Sequence, residues 1–240
     1  MTGISEHFYI IGHRGAAGDC FENTLQGFEH AIELGVDAIE LDVQEHSSQI
    51  WVFHDCGLER LTDGQGRFED HADPGALRLT NGAAIPTLQQ VLDLAWGRVP
   101  INIEIKSVKN LGLLLDLLAR YQQTEVSADN GLPWVLISSF NRPALMQLRH
   151  RGCPWPLAPI TSGRPLQEEM LPIFEQISPF SWHFDDDFVD YYLVTLLREQ
   201  GIPVFVFTVN DAERARELRQ RGVSGIFTDY PQRMLELRND

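Results

Sequence analysis

Short apolar segments alternate with amphipathic segments along almost the whole chain of 240 residues. Phe8–Ile11, Ala38–Val43 and Ile101–Ile105 are typical of buried parallel strands, because they are rich in β-branched residues and carry few polar interruptions. Between the first two, Thr24–Leu34 places apolar side chains at helical spacing, and Gly35 follows as a helix end. This alternation predicts a parallel sheet covered by helices.

About eight such strand–helix units fit into the chain, which favours a closed barrel over an open sheet. We therefore predict an α/β fold, a (β/α)8 TIM barrel formed by residues 1–240 as one domain. A short strand at residues 50–53 is expected to pair with an extension of the second strand. The remaining strands are predicted at residues 134–138, 157–160, 177–183, 203–208 and 225–227.

Residues 56–84 interrupt the alternation, since they are rich in Gly, Asp and Arg and lack a sustained period. We interpret them as a small insertion after the second strand. From its position the insertion could cap one face of the domain or contact a second subunit. A homo-oligomer is therefore an open alternative to a monomer.

The formal net charge of −15 excludes the basic footprint that nucleic-acid binding requires. Stable membrane binding is not expected either, because the chain lacks both a long apolar span and a basic amphipathic stretch. The three cysteines are not spaced as metal or disulfide motifs, and no leader-like segment stands at the N-terminus. These features predict a cytoplasmic protein.

Charged residues fall at the carboxyl ends of the predicted strands, where barrel enzymes build their active sites. Glu40 and Asp42 end the second strand, and a spacing of two places both side chains on one face. Glu104 and Lys106 repeat this spacing on the third barrel strand. Three facing carboxylates repel one another unless a cation lies among them, and oxygen ligands favour Mg²⁺ or Ca²⁺. An ordinary exposed strand end is the alternative interpretation of each pair taken alone.

Two histidines follow strands directly, His13 after the first strand and His54 after the short strand. Imidazole titrates near neutral pH, which makes both candidates for proton transfer. Arg14 and Lys106 are neighbouring cations that could hold phosphate oxygens, Arg14 through a planar fork and Lys106 as a point charge. A salt bridge within the barrel mouth is the alternative role for Lys106.

At these residues the chain resembles the glycerophosphodiester phosphodiesterase family. The matching segments occur in the family's order from about residue 8 to residue 231. Two departures are Phe21, where the family usually has Pro, and Phe207, where Trp is common. The segments are His13-Arg14-Gly15, Glu22-Asn23-Thr24-Leu25, Glu40-Leu41-Asp42-Val43, His54-Asp55 and Glu104-Ile105-Lys106, with weaker matches at Leu58 to Gly66, Phe207-Thr208-Val209-Asn210 and Gly225 to Pro231.

The resemblance implies an enzyme of glycerophospholipid and glycerol metabolism on a TIM barrel. Its reaction would be metal-dependent hydrolysis of small-molecule glycerophosphodiesters to sn-glycerol 3-phosphate and an alcohol, with Mg²⁺ or Ca²⁺ as cofactor. The first nucleophile would be water or the substrate's own 2-hydroxyl. The implied site residues are His13 and His54 as acid and base, Glu40, Asp42 and Glu104 as metal ligands, and Arg14, Lys106, Glu22 and Asn23 around the phosphate or substrate.

Three other functions stay open at this point. A lysophospholipase D on the same barrel would need an apolar groove for an acyl chain. A non-catalytic phosphodiester-binding protein would normally lack a metal ligand or a histidine, whereas every candidate position is filled here. An unrelated metal-dependent barrel, such as an aldolase or isomerase, would explain the carboxylates but not the pair of histidines.

Overall fold

The computed structural model describes residues 7–121 and 129–239. Within them, eight parallel strands close into a barrel in the order β1-β2-β4-β5-β6-β7-β8-β9, and β9 pairs with β1. This closure confirms the predicted (β/α)8 barrel. The strands are β1 (Tyr9–Gly12), β2 (Ala38–His46), β3 (Gln49–Val52), β4 (Ile101–Ser107), β5 (Val135–Ser139), β6 (Leu157–Thr161), β7 (Trp182–Asp185), β8 (Val204–Phe207) and β9 (Gly225–Thr228).

Helices follow the barrel strands and pack outside them. Thr24 caps the first helix by accepting a hydrogen bond from the Gly27 amide, and Gly35 ends that helix in the left-handed conformation. No helix of the described residues is long and apolar enough to cross a bilayer. The sequence also predicts a helix at residues 111–122 after the third barrel strand, and the end of that helix at Gln122 lies outside the described residues. The helices are α1 (Leu25–Leu34), α2 (Leu88–Ala95), α3 (Leu111–Ala119), α4 (Arg142–His150), α5 (Gln167–Ile177), α6 (Tyr191–Glu199), α7 (Ala212–Gln220) and α8 (Pro231–Leu235).

The alternation of side chains along the strands decides which residues reach the barrel interior. Ile11 and Ala38 belong to an apolar cluster that is separate from the main core. Because alternate residues of a strand share a face, the face of Ala38 continues to Glu40 and Asp42. Ile39, on the opposite face of β2, is fully buried in the main core with residues of the outer helices.

An insertion follows the second strand, and it begins from a hairpin outside the barrel. The end of β2 runs beyond the barrel and pairs antiparallel with β3, from Val43 opposite Val52 to His46 opposite Gln49. The segment that follows has an apolar core of its own, formed by Phe53, Leu58, Leu61, Phe68, Leu77, Leu79 and Ile85.

The prediction of a strand at residues 177–183 is wrong in its starting position. Ile177 is the last residue of α5, and β7 begins only at Trp182. Pro172 lies inside α5 and removes one backbone hydrogen bond, so the sequence predicts an earlier helix end. Met170, Ile173 and Ile177 nevertheless bury one face of the helix, and this burial outweighs the local cost of the proline.

Trp182 provides a test of the core between the barrel and its helices. Its side chain is fully buried, and its indole N–H donates to Thr161 Oγ1 over 3.0 Å. We expect Trp182→Ala to lower the free energy of unfolding by roughly 3–5 kcal/mol, measured by urea denaturation. Leu171→Ala, at a side chain that is 53% exposed, should change it by less than about 0.5 kcal/mol. Similar losses of unfolding free energy in the two variants would contradict the assignment of Trp182 to the packed core.

Candidate active site

The loop after β1 carries His13 and Arg14 to the mouth of the barrel. Arg14 and Gly15 both adopt left-handed backbone conformations, with φ of 51° and 89°. A Cβ on Gly15 would lie 2.7 Å from the Gly27 backbone, so this turn needs glycine to pack against α1. The turn aims the Arg14 amide at Glu40 Oε2, to which it donates over 2.9 Å.

Three carboxylates face one another at this mouth. Asp42 and Glu104 are register partners on β2 and β4, and one oxygen from each of Glu40, Asp42 and Glu104 lies within 4.8 Å of the others. Burial and the neighbouring charge of Asp42 raise the pKa of Glu40 well above its usual range. Burial and Asp42 likewise raise the pKa of Glu104 to about 7. The positive charges beside the cluster therefore do not fully compensate the three carboxylates.

Two buried oxygens at the same place have no hydrogen-bond partner among the described residues. They are Glu40 Oε1 and Asn102 Oδ1. An unpaired buried acceptor costs free energy, and a cation or its bound water would satisfy both. A set of oxygen donors without sulfur fits Mg²⁺ or Ca²⁺. Asn102 is not among the site residues predicted from the sequence, although it precedes Glu104 by two residues and so shares its face of β4.

Glu22 and Asn23 contact other residues of the site. Arg14 Nη1 donates to Glu22 Oε1 over 2.7 Å, and Arg14 Nε lies 3.2 Å from Asp42 Oδ2. Asn23 Nδ2 donates to the same Asp42 oxygen over 2.9 Å, while the Asp42 amide donates to Asn23 Oδ1. Glu22 thus fixes the guanidinium of Arg14, and Asn23 fixes the carboxylate of Asp42.

Lys106 makes the salt bridge that was the alternative to phosphate contact. Its Nζ lies 2.8 Å from Glu104 Oε1 and 3.8 Å from Asp42 Oδ1. Burial alone would lower the pKa of Lys106, but the charges of Glu104 and Asp42 outweigh it and raise the pKa. Lys106 is therefore a charged ammonium at the edge of the carboxylate cluster, 5.5 Å above the centre of the Phe140 ring.

His54 is held by a chain of charged groups that reaches into the insertion. Its Nδ1 lies 2.6 Å from Asp55 Oδ1, and Asp55 accepts two hydrogen bonds from Arg60. Arg60 also donates to both oxygens of Glu22. These hydrogen bonds hold the pKa of Asp55 far below its usual range, and burial lowers the pKa of His54. The insertion is thereby fastened to the loop after β1.

His13 has the same arrangement with different partners. Its Nδ1 lies 2.7 Å from Asp229 Oδ1, and Asp229 Oδ2 accepts a hydrogen bond from Asn210. In both histidines a carboxylate occupies Nδ1, which leaves Nε2 for another group. Arg60, Asp229 and Asn210 are not among the site residues predicted from the sequence, although each lies within one of the weaker matching segments.

The opposite side of the mouth is apolar. Phe140 and Phe207 meet edge to face, with ring centres 5.9 Å apart. His183 lies on the floor of this side, where burial lowers its pKa to about 3 and Ser181 Oγ is 3.1 Å from Nε2. The cavity between the two sides is lined by His13, Glu40, Asn102, Glu104, Ile160, His183, Phe207 and Phe227.

Comparison with known proteins identifies the family of the chain. A sequence model of the glycerophosphoryl diester phosphodiesterase family matches residues 13–233 and confirms the resemblance carried by the motifs. The glycerophosphodiester phosphodiesterase of Bacillus altitudinis is 31% identical over 96% of this chain and 98% of its own. The lysophospholipase D GDPD1 of Rattus norvegicus is 26% identical over 99% of this chain and 87% of its own.

A solved structure is also similar over almost the whole chain. It is a phosphodiesterase of Oleispira antarctica in complex with the product sn-glycerol-3-phosphate. Its sequence is 26% identical, and 97% of each chain superimposes with a TM-score of 0.84. The fold of the whole barrel is therefore shared.

Proposed function

The chain belongs to the glycerophosphoryl diester phosphodiesterase family, and from that premise we propose that it hydrolyses glycerophosphodiesters to sn-glycerol 3-phosphate and an alcohol. One observation carries the proposal. A buried cluster of three carboxylates with an unsatisfied oxygen lies in the same mouth as two histidines whose Nδ1 atoms are both held by carboxylates. Such a site can neutralise a phosphodiester and move protons beside it.

Glu40, Asp42 and Glu104 would hold a divalent cation, Mg²⁺ or Ca²⁺. The ion would supply positive charge against the phosphoryl oxygens as negative charge grows on them. The support is the mutual repulsion of the three carboxylates and the unpaired Glu40 Oε1. Asn23 would keep Asp42 in place, because its amide bonds both the side chain and the backbone of that residue.

Arg14 and Lys106 would bind the non-bridging oxygens of the phosphate. Both cations are oriented by carboxylates, Arg14 by Glu22 and Lys106 by Glu104. Orientation in advance of binding reduces the side-chain entropy that substrate binding costs. Glu22 would therefore act on the phosphate through Arg14.

His13 and His54 would transfer the protons. One accepts a proton from the attacking oxygen, and the other donates one to the leaving alkoxide. The carboxylate at each Nδ1 leaves Nε2 for these transfers and stabilises the imidazolium that forms. The attacking oxygen would be water or the substrate's own 2-hydroxyl.

The direct test is to incubate the protein with glycerophosphocholine and to follow release of sn-glycerol 3-phosphate. We would run it with Mg²⁺, with Ca²⁺ and with a chelator. Release that depends on either ion supports the proposal, and the faster reaction identifies the preferred ion. A folded protein that releases no product under any of these conditions would contradict it.

A lysophospholipase D activity is the second candidate, and a feature of the mouth favours it. The loops after β5, β6 and β7 carry exposed apolar side chains, Phe140, Leu166 and Phe188, which are 41%, 62% and 40% exposed. An acyl chain could pack against such a rim. The rates with lysophosphatidylcholine and glycerophosphocholine, measured below the critical micelle concentration, distinguish the two activities.

The proposed reaction belongs to glycerophospholipid and glycerol metabolism in the cytoplasm. The free state of Cys20, Cys56 and Cys153 supports this location, since free thiols are usual in a reducing compartment. The substrate would be a small molecule, because polar side chains of the site, among them His13, Glu40 and Glu104, line one cavity together with apolar residues.

Arg60 offers a test of how the insertion supports His54. We expect Arg60→Ala to lower kcat/KM for glycerophosphocholine by about fivefold, since a half-exposed ion pair contributes about 1 kcal/mol. Arg67→Ala is the matched control, because Arg67 lies in the same insertion and pairs with Glu69, away from the site. An equal effect of both variants would show that Arg60 has no particular role.

A further inference from the structure

We propose that Asp229 and Asn210 act together as positioning residues that fix the tautomer of His13, with the proton on Nδ1 and Nε2 free to accept. The tautomer matters for catalysis only if His13 transfers protons, so that part rests on the proposed function. The two residues lie at the ends of neighbouring strands, Asn210 after β8 and Asp229 after β9.

Backbone geometry fixes the orientation of the Asn210 amide. The Asp229 backbone N–H can only donate, and it lies 2.9 Å from Asn210 Oδ1. Thr228 Oγ1 lies 3.1 Å from the same oxygen, and it is free to donate because its own lone pair accepts from the Tyr230 amide. Two donors at one atom identify it as the oxygen, so the other branch, Nδ2, must donate to Asp229 Oδ2, 2.7 Å away.

The orientation passes from Asn210 through Asp229 to His13. Asp229 Oδ2 accepts the hydrogen bond from Asn210 Nδ2. The other oxygen, Asp229 Oδ1, lies 2.7 Å from His13 Nδ1. Burial raises the pKa of Asp229, but the hydrogen bonds with His13 and Asn210 and the nearby positive charge together outweigh it and lower the pKa, so the carboxylate is ionised. An ionised carboxylate can only accept, and therefore His13 Nδ1 carries the proton. The backbone amide of His13 also donates to the carbonyl oxygen of Thr228 over 2.9 Å, which connects the loop after β1 to the end of β9.

Asp229→Asn should reverse the tautomer without changing the shape of the site. Asn210 Nδ2 still has to donate, so the new amide must turn its oxygen toward Asn210 and its NH₂ toward His13. Nδ1 would then accept and the proton would move to Nε2. We expect kcat for glycerophosphocholine to fall by about 10²–10⁴-fold, with KM within about threefold of its original value. Nitrogen-15 NMR of the His13 ring would report the tautomer directly.

The exchange variant Asp229→Asn with Asn210→Asp is the rescue. The carboxylate at position 210 accepts from the backbone N–H, from Thr228 and from the new amide, whose oxygen is then directed at His13 Nδ1. We expect the Nδ1–H tautomer to return, together with at least about tenfold of the lost kcat. Asn210→Asp alone places two carboxylates face to face but leaves Asp229 Oδ1 as the acceptor at His13 Nδ1, so the Nδ1–H tautomer should persist in this variant.

The NMR reading separates this proposal from the proposed function. A protein without phosphodiesterase activity whose His13 still changes tautomer in Asp229→Asn would support the positioning role and reject the function. The proposal is overturned if Asp229→Asn keeps the Nδ1–H tautomer. It is also overturned if the exchange variant, folded with an unaltered far-UV circular dichroism spectrum, keeps the Nε2–H tautomer.

Discussion

His13→Ala and His54→Ala should each lower kcat for glycerophosphocholine by about 10²–10⁴-fold, the usual contribution of general acid–base catalysis. The reason is that a carboxylate holds Nδ1 of each imidazole, Asp229 at His13 and Asp55 at His54, which leaves Nε2 for the proposed proton transfer. KM should change much less, because Arg14 and Lys106, the cations proposed to bind the phosphate, stay in place. Initial rates over a range of substrate concentrations separate the two constants.

The matched control for these variants is His150→Ala. His150 is an exposed residue near the end of α4, and its Nδ1 contacts the Met146 carbonyl oxygen far from the mouth. It should leave kcat unchanged. Near-original turnover in both His13→Ala and His54→Ala would show that neither histidine transfers a proton in the slow step.

Glu40→Gln should remove most of the metal response while leaving the fold intact. In the original protein a divalent ion at 100 times its Kd should stabilise the fold by about 2.7 kcal/mol, seen as a rise in Tm. The variant loses a ligand, and we expect its affinity for Mg²⁺ or Ca²⁺ to fall by at least about 100-fold. Thermal unfolding with each ion and with a chelator measures both quantities, independently of catalysis.

The Tm measured in chelator tests a second expectation about Glu40. Without an ion, burial and the charge of Asp42 disfavour the ionised form of Glu40 and raise its pKa, so its negative charge is destabilising at neutral pH. The neutral amide removes that repulsion, and the Tm of Glu40→Gln in chelator should equal or exceed the original. Glu168→Gln, at an exposed side chain in the first turn of α5, should leave the metal response unchanged. An unaltered metal response in Glu40→Gln would remove Glu40 from the ligand set.

The local pattern of the chain was sufficient for the barrel and for most of its elements. The alternation of apolar residues in a strand and a helix cap such as Thr24 each involve only a few neighbouring residues. They can therefore be recognised, and the strand–helix units counted, without knowledge of distant contacts. The same locality identified Glu40, Asp42 and Glu104, because a spacing of two on a strand determines the shared face. It failed at β7, where burial of the α5 face outweighed the local effect of Pro172.

The partners of the site residues were decided only by the tertiary structure. Asp229 is 216 positions from His13 in the chain, and Arg60 is 38 positions from Glu22, so no local pattern joins them. Closure of the barrel brings β9 beside β1, and the apolar core of the insertion places Arg60 over the loop after β1. The sequence by itself determined which strand ends carry chemistry. Folding determined that Asp229 holds His13, because this contact joins strands that are far apart in the chain, whereas Asp55 is the chain neighbour of His54.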